Sequence, residues 1–269
     1  MISTTKQTKV TKTLKKALKT LLAAAFWILV WEAASRIVSL SNELLLLILP
    51  SPFTVLKKWL EIGFTASFLS AVGITLLRIL LGFVSGVVIG FLLGVLTHYL
   101  EVLNTLFSPL LKIIRAVPVV AIIILLYLFF DSATLPIIIV ALMVLPIIWQ
   151  TTHDGLNNTD SRLLEMAKVF KVKPLKTLFF IKLPQLTPSL LSSSVNALGL
   201  AWKSGVAAEV ICLPDLSLGT LLWLGKGNVN YDEVYAITLT VVILSLIIEF
   251  LLKTVYNKTM KGGVADDRA

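Results

Sequence analysis

A chain of 269 residues with 57% hydrophobic and only 14% charged residues, at a mean hydropathy of +0.92, cannot cover a soluble surface, which takes roughly 25% charged residues. It belongs in a bilayer. One cysteine, Cys212, and two distant histidines, His98 and His153, exclude a disulfide framework and leave no ligand spacing for a metal centre.

A span needs about 20 apolar residues, fewer where tilt or neighbours compensate. The sequence predicts an all-α polytopic membrane protein of six spans, over residues 17–34, 72–96, 109–130, 135–149, 188–212 and 234–252. Ahead of them, residues 1–16 form a basic cytoplasmic N-terminus. The first 20 residues carry Lys6, Lys9, Lys12, Lys15, Lys16 and Lys19 without an acid. A cleavable signal peptide ending in the small run Ala33, Ala34, Ser35 is a competing reading of this segment. The external stretch 36–71 holds Leu49-Pro50-Ser51-Pro52, in which Ser51 is a helix cap and Pro52 a first helical residue. Val55, Leu56, Trp59 and Leu60 then form the apolar side of a short helix.

The second span carries Gly82, Gly86, Gly90 and Gly94 at four-residue spacing, a stripe on which another backbone can lie close. The partner is another helix of this chain or of a second subunit. Lys112 and Arg115 flank the start of the third span, and Asp131 to Thr134 make a tight turn into the fourth. Pro136 and Pro146 lie inside that span, where neighbouring helices can satisfy the freed carbonyls.

The long loop 150–187 reads as two short helices, one opening at Asp160 or Ser161 and one from Leu175 to Lys182 that ends at Leu183-Pro184. Both expose apolar residues among lysines, a surface suited to anionic lipid or to a docked protein. In the fifth span Lys203 and Glu209 lie six residues apart, on different sides of the helix. Each must therefore face a cavity or a partner on another helix, and Glu209 has Lys203's neighbourhood, Arg78 or a second subunit to draw on. Glu249 and Lys253 form an i, i+4 pair, Arg78 snorkels, and residues 253–269 make a cytoplasmic tail.

Eighteen of the 24 basic residues fall on one side of this arrangement. By the positive-inside rule that side is the cytoplasm, with both termini inside. This segregation also removes nucleic acid as a partner of the basic charge.

The loop resembles that of the permease subunits of binding-protein-dependent ABC importers. Their pattern of Glu-Ala-Ala, three residues, Gly, then Ile-x-Leu-Pro is matched by Glu165-Met166-Ala167, Lys171 and Ile181-Lys182-Leu183-Pro184. Met166 replaces an alanine, and Lys171 stands where a glycine makes the turn. Leu49-Pro50-Ser51-Pro52, Thr75-Leu76-Leu77-Arg78, Pro109 through Arg115 with Pro118, and Trp202-Lys203-Ser204-Gly205-Val206-Ala207-Ala208-Glu209 are similar to the nitrate/sulfonate/taurine-type branch.

The resemblance implies a membrane domain over residues 17–252 in a bacterial inner membrane, with a second permease subunit, cytoplasmic ATPase subunits and an external substrate-binding protein as partners. Glu165, Ala167, Lys171, Leu175, Leu178, Ile181, Leu183 and Pro184 would couple to the ATPase. Trp202, Lys203, Glu209 and Pro118 would line the pathway of a small anion or a thiamine-precursor-like solute. ATP and magnesium would sit on the partner. The nearest phosphate-loop candidate, Gly219 to Gly225-Lys226-Gly227, has five residues between its glycines instead of four and no following Ser or Thr. No enzymatic activity is expected of this chain alone. A non-conducting membrane scaffold and a stand-alone secondary transporter are the alternatives.

Overall fold

The computed structural model describes the backbone of residues 3–41 and 48–266, and the side chains of 18–40 and 48–254 within them. The lysines at positions 6–16 and the tail cations beyond residue 254 lie outside the described side chains. Among the described residues the fold is helical throughout, without strands. The chain divides into two compact units, Met1–Thr65 with Leu224–Thr238, and Ala66–Trp223 with Leu239–Ala269.

In the first unit, α1 (Ser3–Ser41) runs as one helix across the boundary expected at residue 16. Its apolar stretch Leu18–Leu40 is long enough to cross a membrane and is exposed along most of its length. Trp31 Nε1 donates to Pro50 O at 3.1 Å, and Ser35 Oγ donates to Leu49 O at 2.9 Å. These bonds anchor the residues before α2 (Pro52–Ile62), whose cap is as the sequence predicts. Ser51 Oγ accepts from Thr54 N at 3.2 Å, and Pro52 opens the first turn.

In the second unit, α3 (Ala66–Tyr99) leads into α4 (Glu101–Ala116) and α5 (Val119–Leu126). The sequence predicts one continuous span over 109–130, and the structure corrects this. The apolar run is broken into α4 and α5, bent by 106°. The cause is local: Pro118 has no N–H and forces Val117 out of the helical region, to φ −77° and ψ 134°. The turn at Asp131 is as predicted. Its Oδ1 accepts from the hydroxyl of Thr134 at 3.1 Å and from the N–H groups of Thr134 and Ala133, each at 2.9 Å. Those bonds, the Thr134 hydroxyl first, hold the carboxyl below its ordinary range.

The turn feeds α6 (Leu135–Asn157), eight residues longer than the predicted fourth span. The glycine stripe finds its partner here, within the chain. A Cβ on Gly82, Gly86 or Gly90 would stand 2.6, 2.8 or 2.7 Å from the carbonyl oxygens of Ile137, Ala141 and Leu145, and one on Gly94 would meet Thr152. Every fourth residue of α3 is thus a contact between backbones.

After α7 (Ser161–Val169) and a single turn, α8 (Pro174–Thr177), a π-turn at Leu178–Lys182 enters α9 (Leu183–Cys212). Here too the sequence expectation is corrected, because the helix does not stop at Leu183-Pro184. The N–H of Leu183 reaches back five residues to Leu178 O. The extra residue of a π-turn accommodates Pro184, which has no N–H and opens the next helix. Ile79 of α3, Val140, Val144 and Ile148 of α6, and Ala197, Ala201 and Trp202 of α9 form the main core. A second cluster joins Ile123 of α5 to Ile139 and Met143 of α6 and to Ala208 and Cys212 of α9.

The helices α10 (Leu218–Gly227) and α11 (Tyr231–Asp266) complete the chain, the latter continuing through position 252. Among the described residues, four helices are long and apolar enough to cross a membrane, or five if the bent pair α4–α5 counts as one span. The predicted fifth span, α9, is not among them, because serines, Lys203 and Glu209 interrupt its apolar run.

Candidate functional site

The loop between α6 and α9 is built from local signals. Asp160 caps α7, its Oδ1 accepting from Arg162 N at 2.9 Å. The helix ends at Lys171, the position where the resembled pattern has glycine. Lys171 N donates to Lys168 O at 3.0 Å and Val172 N to Ala167 O at 2.9 Å, the paired bonds of a Schellman ending. Lys171 itself takes φ 53°, so the turn forms without glycine and carries the strain of a left-handed lysine. Lys171→Gly should therefore raise stability by about 1 kcal/mol. A thermal unfolding midpoint that is unchanged or lower in that variant would show that the turn is not strained.

A chain of polar contacts ties this loop to the ends of α3 and α6. Lys182 Nζ donates to His98 Nε2 at 2.8 Å, so Nδ1 carries the ring proton and donates to Asn157 Oδ1 at 2.7 Å. The ammonium of Lys182 also lies 5.0 Å from the centre of the Tyr99 ring. The sequence reading missed His98 and Asn157 in this role, and two isolated polar residues carry no pattern that would have revealed it.

The predicted coupling residues are divided by burial. Glu165, Lys171, Leu175 and Pro184 are exposed, and Leu178, Ile181 and Leu183 are half-buried. Ala167 is 4% exposed and lines a groove of this loop with Leu164, Val172, Pro174 and Lys182. The most exposed apolar side chains of the loop are Met166, Val169, Phe170, Leu175, Phe179 and Phe180.

The four predicted pathway residues do not come together. Trp202 is 3% exposed, donates from Nε1 to Val241 O at 3.1 Å and belongs to the main core. Lys203 is exposed on α9, near enough to Glu249 to act on it electrostatically, and Glu249 pairs with Lys253 as predicted.

Glu209 is fully buried, at 0% exposure. Its Oε2 accepts from Thr75 Oγ1 at 2.8 Å and from Gly219 N at 3.3 Å. Its Oε1 accepts from Arg78 Nη1 at 3.3 Å, and Arg78 Nη2 donates to Asp215 O at 3.2 Å. Thr75 Oγ1 in turn accepts from Leu218 N at 3.0 Å. Arg78 does not snorkel, as the sequence suggested; it is the partner of Glu209. The carboxylate is the knot of a network joining α3, α9 and the start of α10. The polar pair Thr75 and Arg78, three residues apart in an otherwise apolar helix, was the signal available in the sequence.

Pro118 stands between two residues, Val117 and Val119, that line a sizeable cavity. The break between α4 and α5 opens about 380 Å³ walled by Val117, Val119, Leu142, Met143 and Leu200, with Arg115 on its lining. Arg115 was counted with the cytoplasmic cations flanking a span; in the structure it stands level with the middle of α6.

A helical bundle with membrane-length apolar helices, a basic inner-type loop of short helices and a cavity at a broken helix has the build of a membrane transport subunit. Residues 86–261 match the family described as binding-protein-dependent transport system inner membrane component. An aliphatic sulfonates transport permease protein, SsuC, of Escherichia coli is 31% identical over 200 residues, 72% of this chain and 74% of that one. An ABC transporter permease protein of Haemophilus influenzae is 28% identical over 238 residues, 87% of this chain and 94% of that one. The taurine transport system permease protein TauC of Escherichia coli is 24% identical over 218 residues, 79% of each.

Among solved structures, an amino acid ABC transporter with histidines has a TM-score of 0.63 at 17% identity, covering 74% of this chain and 96% of that one. The MetNI methionine ABC transporter in an inward-facing conformation has a TM-score of 0.62 at 17% identity, covering 75% of this chain and 98% of that one. These two likenesses speak to the fold. The chain belongs to the family of inner membrane components of binding-protein-dependent transport systems, and is an ABC transporter permease subunit of the sulfonate/taurine-type branch.

Proposed function

We propose that this chain is the conducting subunit of an ATP-driven importer of small organic anions in a bacterial inner membrane. It crosses the membrane six times with both termini in the cytoplasm and pairs with a second permease subunit. An external binding protein delivers the solute, and cytoplasmic ATPase subunits hold ATP and magnesium. Relatives named for aliphatic sulfonates and taurine support the solute class. Segregation of basic residues supports the orientation.

The observation that carries the reading is the exposed apolar surface of the loop between α6 and α9. Val169, Phe170, Leu175 and Phe179 are each 60% exposed or more. Large apolar patches mark contact surfaces, and the bond from Lys182 to His98 couples this one to the end of α3. A partner that displaces the loop would thereby pull on the spans.

The test is co-purification of the full chain with ABC ATPase subunits and substrate-binding proteins of the same cell. Val169→Glu and Phe179→Glu each place a charge where an apolar contact is proposed, and should reduce ATPase recovery at least about tenfold, a loss of about 1.4 kcal/mol. Both side chains are exposed, so thermal unfolding of the permease itself should be unchanged. Undiminished recovery and uptake in both variants would reject the docking surface. Solute uptake without any ATPase would favour a stand-alone transporter.

A further inference from the structure

The cavity at the break between α4 and α5 holds a charge that nothing in the fold explains. Its walls are apolar, from Val119 of α5, Leu142, Met143 and Ile147 of α6, and Leu200 of α9. Arg115 is the single charged residue on its lining, and no carboxylate faces it. Among the described residues Arg115 forms no ion pair. Leu142 to Ile147 lie at the middle of Leu135–Asn157, and Leu200 lies just past the middle of Leu183–Cys212. The cavity therefore sits at about half the depth of the spans.

A guanidinium at that depth is disfavoured unless it is hydrated or matched by a negative charge. Arg78, which is largely buried, is matched by Glu209; Arg115 is exposed and has no such partner among the described residues. A planar guanidinium donates two parallel bonds to a sulfonate or carboxylate, a recognition that lysine does not reproduce. Apolar walls around one polar anchor, in a volume of a few hundred cubic ångströms, suit a small ligand with a short hydrocarbon tail. The 106° bend between α4 and α5 is what opens this space beside α6 and α9.

We propose that this cavity is a binding site for a small organic monoanion, with Arg115 anchoring a sulfonate or carboxylate head and the α6 and α9 side chains holding its alkyl tail. The proposal rests on the transport reading only in making this ligand the solute carried, and it replaces Trp202, Lys203 and Glu209 by Arg115 as the residue that sets charge preference.

The test is ligand binding by the full chain in lipid nanodiscs, read by calorimetry, with ethanesulfonate, propionate and ethylammonium as probes. The wild type should bind the two anions and ignore the cation. Arg115→Ala should weaken ethanesulfonate at least about tenfold, and Arg115→Lys should fall between. Val119→Trp, which fills the tail space, should weaken the anions while leaving Arg115 in place. Thermal unfolding of each variant checks that the exposed Arg115 is not needed for folding.

Equal affinity for ethanesulfonate in Arg115→Ala, or no binding of either anion by the wild type, would overturn the site. ATPase association is read in the same preparations. Association without anion binding rejects the cavity and keeps the importer reading, whereas anion binding through Arg115 without association keeps the cavity and rejects the importer.

Discussion

Glu209→Ala is expected to leave little folded protein to purify. The substitution removes the only carboxylate facing Arg78, whose side chain is 11% exposed, and strands Thr75 Oγ1 and the N–H of Gly219 in the same dry space. Breaking a buried pair by deleting one member costs about 3–5 kcal/mol, because the remaining charge is uncompensated. That is comparable to a large share of a domain's net stability. Glu209→Gln should be milder, since an amide oxygen can still accept from Thr75 and Gly219 while its charge is lost.

The double variant Arg78→Met with Glu209→Met should recover much of the loss of either single change, since replacing both members leaves no charge behind. Fluorescence-detected size exclusion and thermal unfolding in detergent measure all three. A pathway role makes a different demand: Glu209→Ala would then assemble normally and fail only in uptake. Normal assembly of that variant would reject the structural assignment.

This reassignment shows where the sequence is readable and where it stops. Ser51, Asp160 and Asp131 were legible as caps and turns because their bonds reach two or three residues along the chain. The glycine stripe was legible as a close contact because its period is that of a helix face, although the sequence could not say which helix lay on it. The sequence named Arg78 among the candidate partners of Glu209, but their bond spans 131 positions and no local pattern selected it over Lys203 or a second subunit.

The break at Val117-Pro118 escaped notice because hydropathy is continuous across it and proline inside a membrane helix is ordinarily tolerated. For the same reason Arg115 was read as a cytoplasmic flank: the straight span placed it at an end, and the bend puts it at mid-depth. The burial of Ala167 likewise depends on how α7 folds back on its own chain. In each case local chemistry was right, and what was missing was which distant segment completes it.

The largest single effect should come from the stripe on α3. Gly86→Leu is expected to abolish folding, and Gly82→Ala and Gly86→Ala each to destabilise by about 1–3 kcal/mol. The reason is the identity of the obstructing atoms. A Cβ on Gly82 meets Ile137 O at 2.6 Å, and one on Gly86 meets Ala141 O at 2.8 Å, both backbone atoms of α6 that cannot rotate away as a side chain could. Relief requires α3 and α6 to separate along their length, which would open the core around Ile79, Val140 and Val144.

Two other glycines supply the control. Gly73 and Gly199 have nothing within 4 Å of an added Cβ, so Gly73→Ala and Gly199→Ala should be neutral or stabilise by up to about 1 kcal/mol through helix propensity. Thermal unfolding of the four alanine variants in one detergent gives the comparison. A common small shift in all four would mean that glycine on α3 acts through propensity alone, and that the two helices do not meet backbone to backbone. A loss confined to Gly82 and Gly86 can arise only if α3 is pressed against α6 along the stripe.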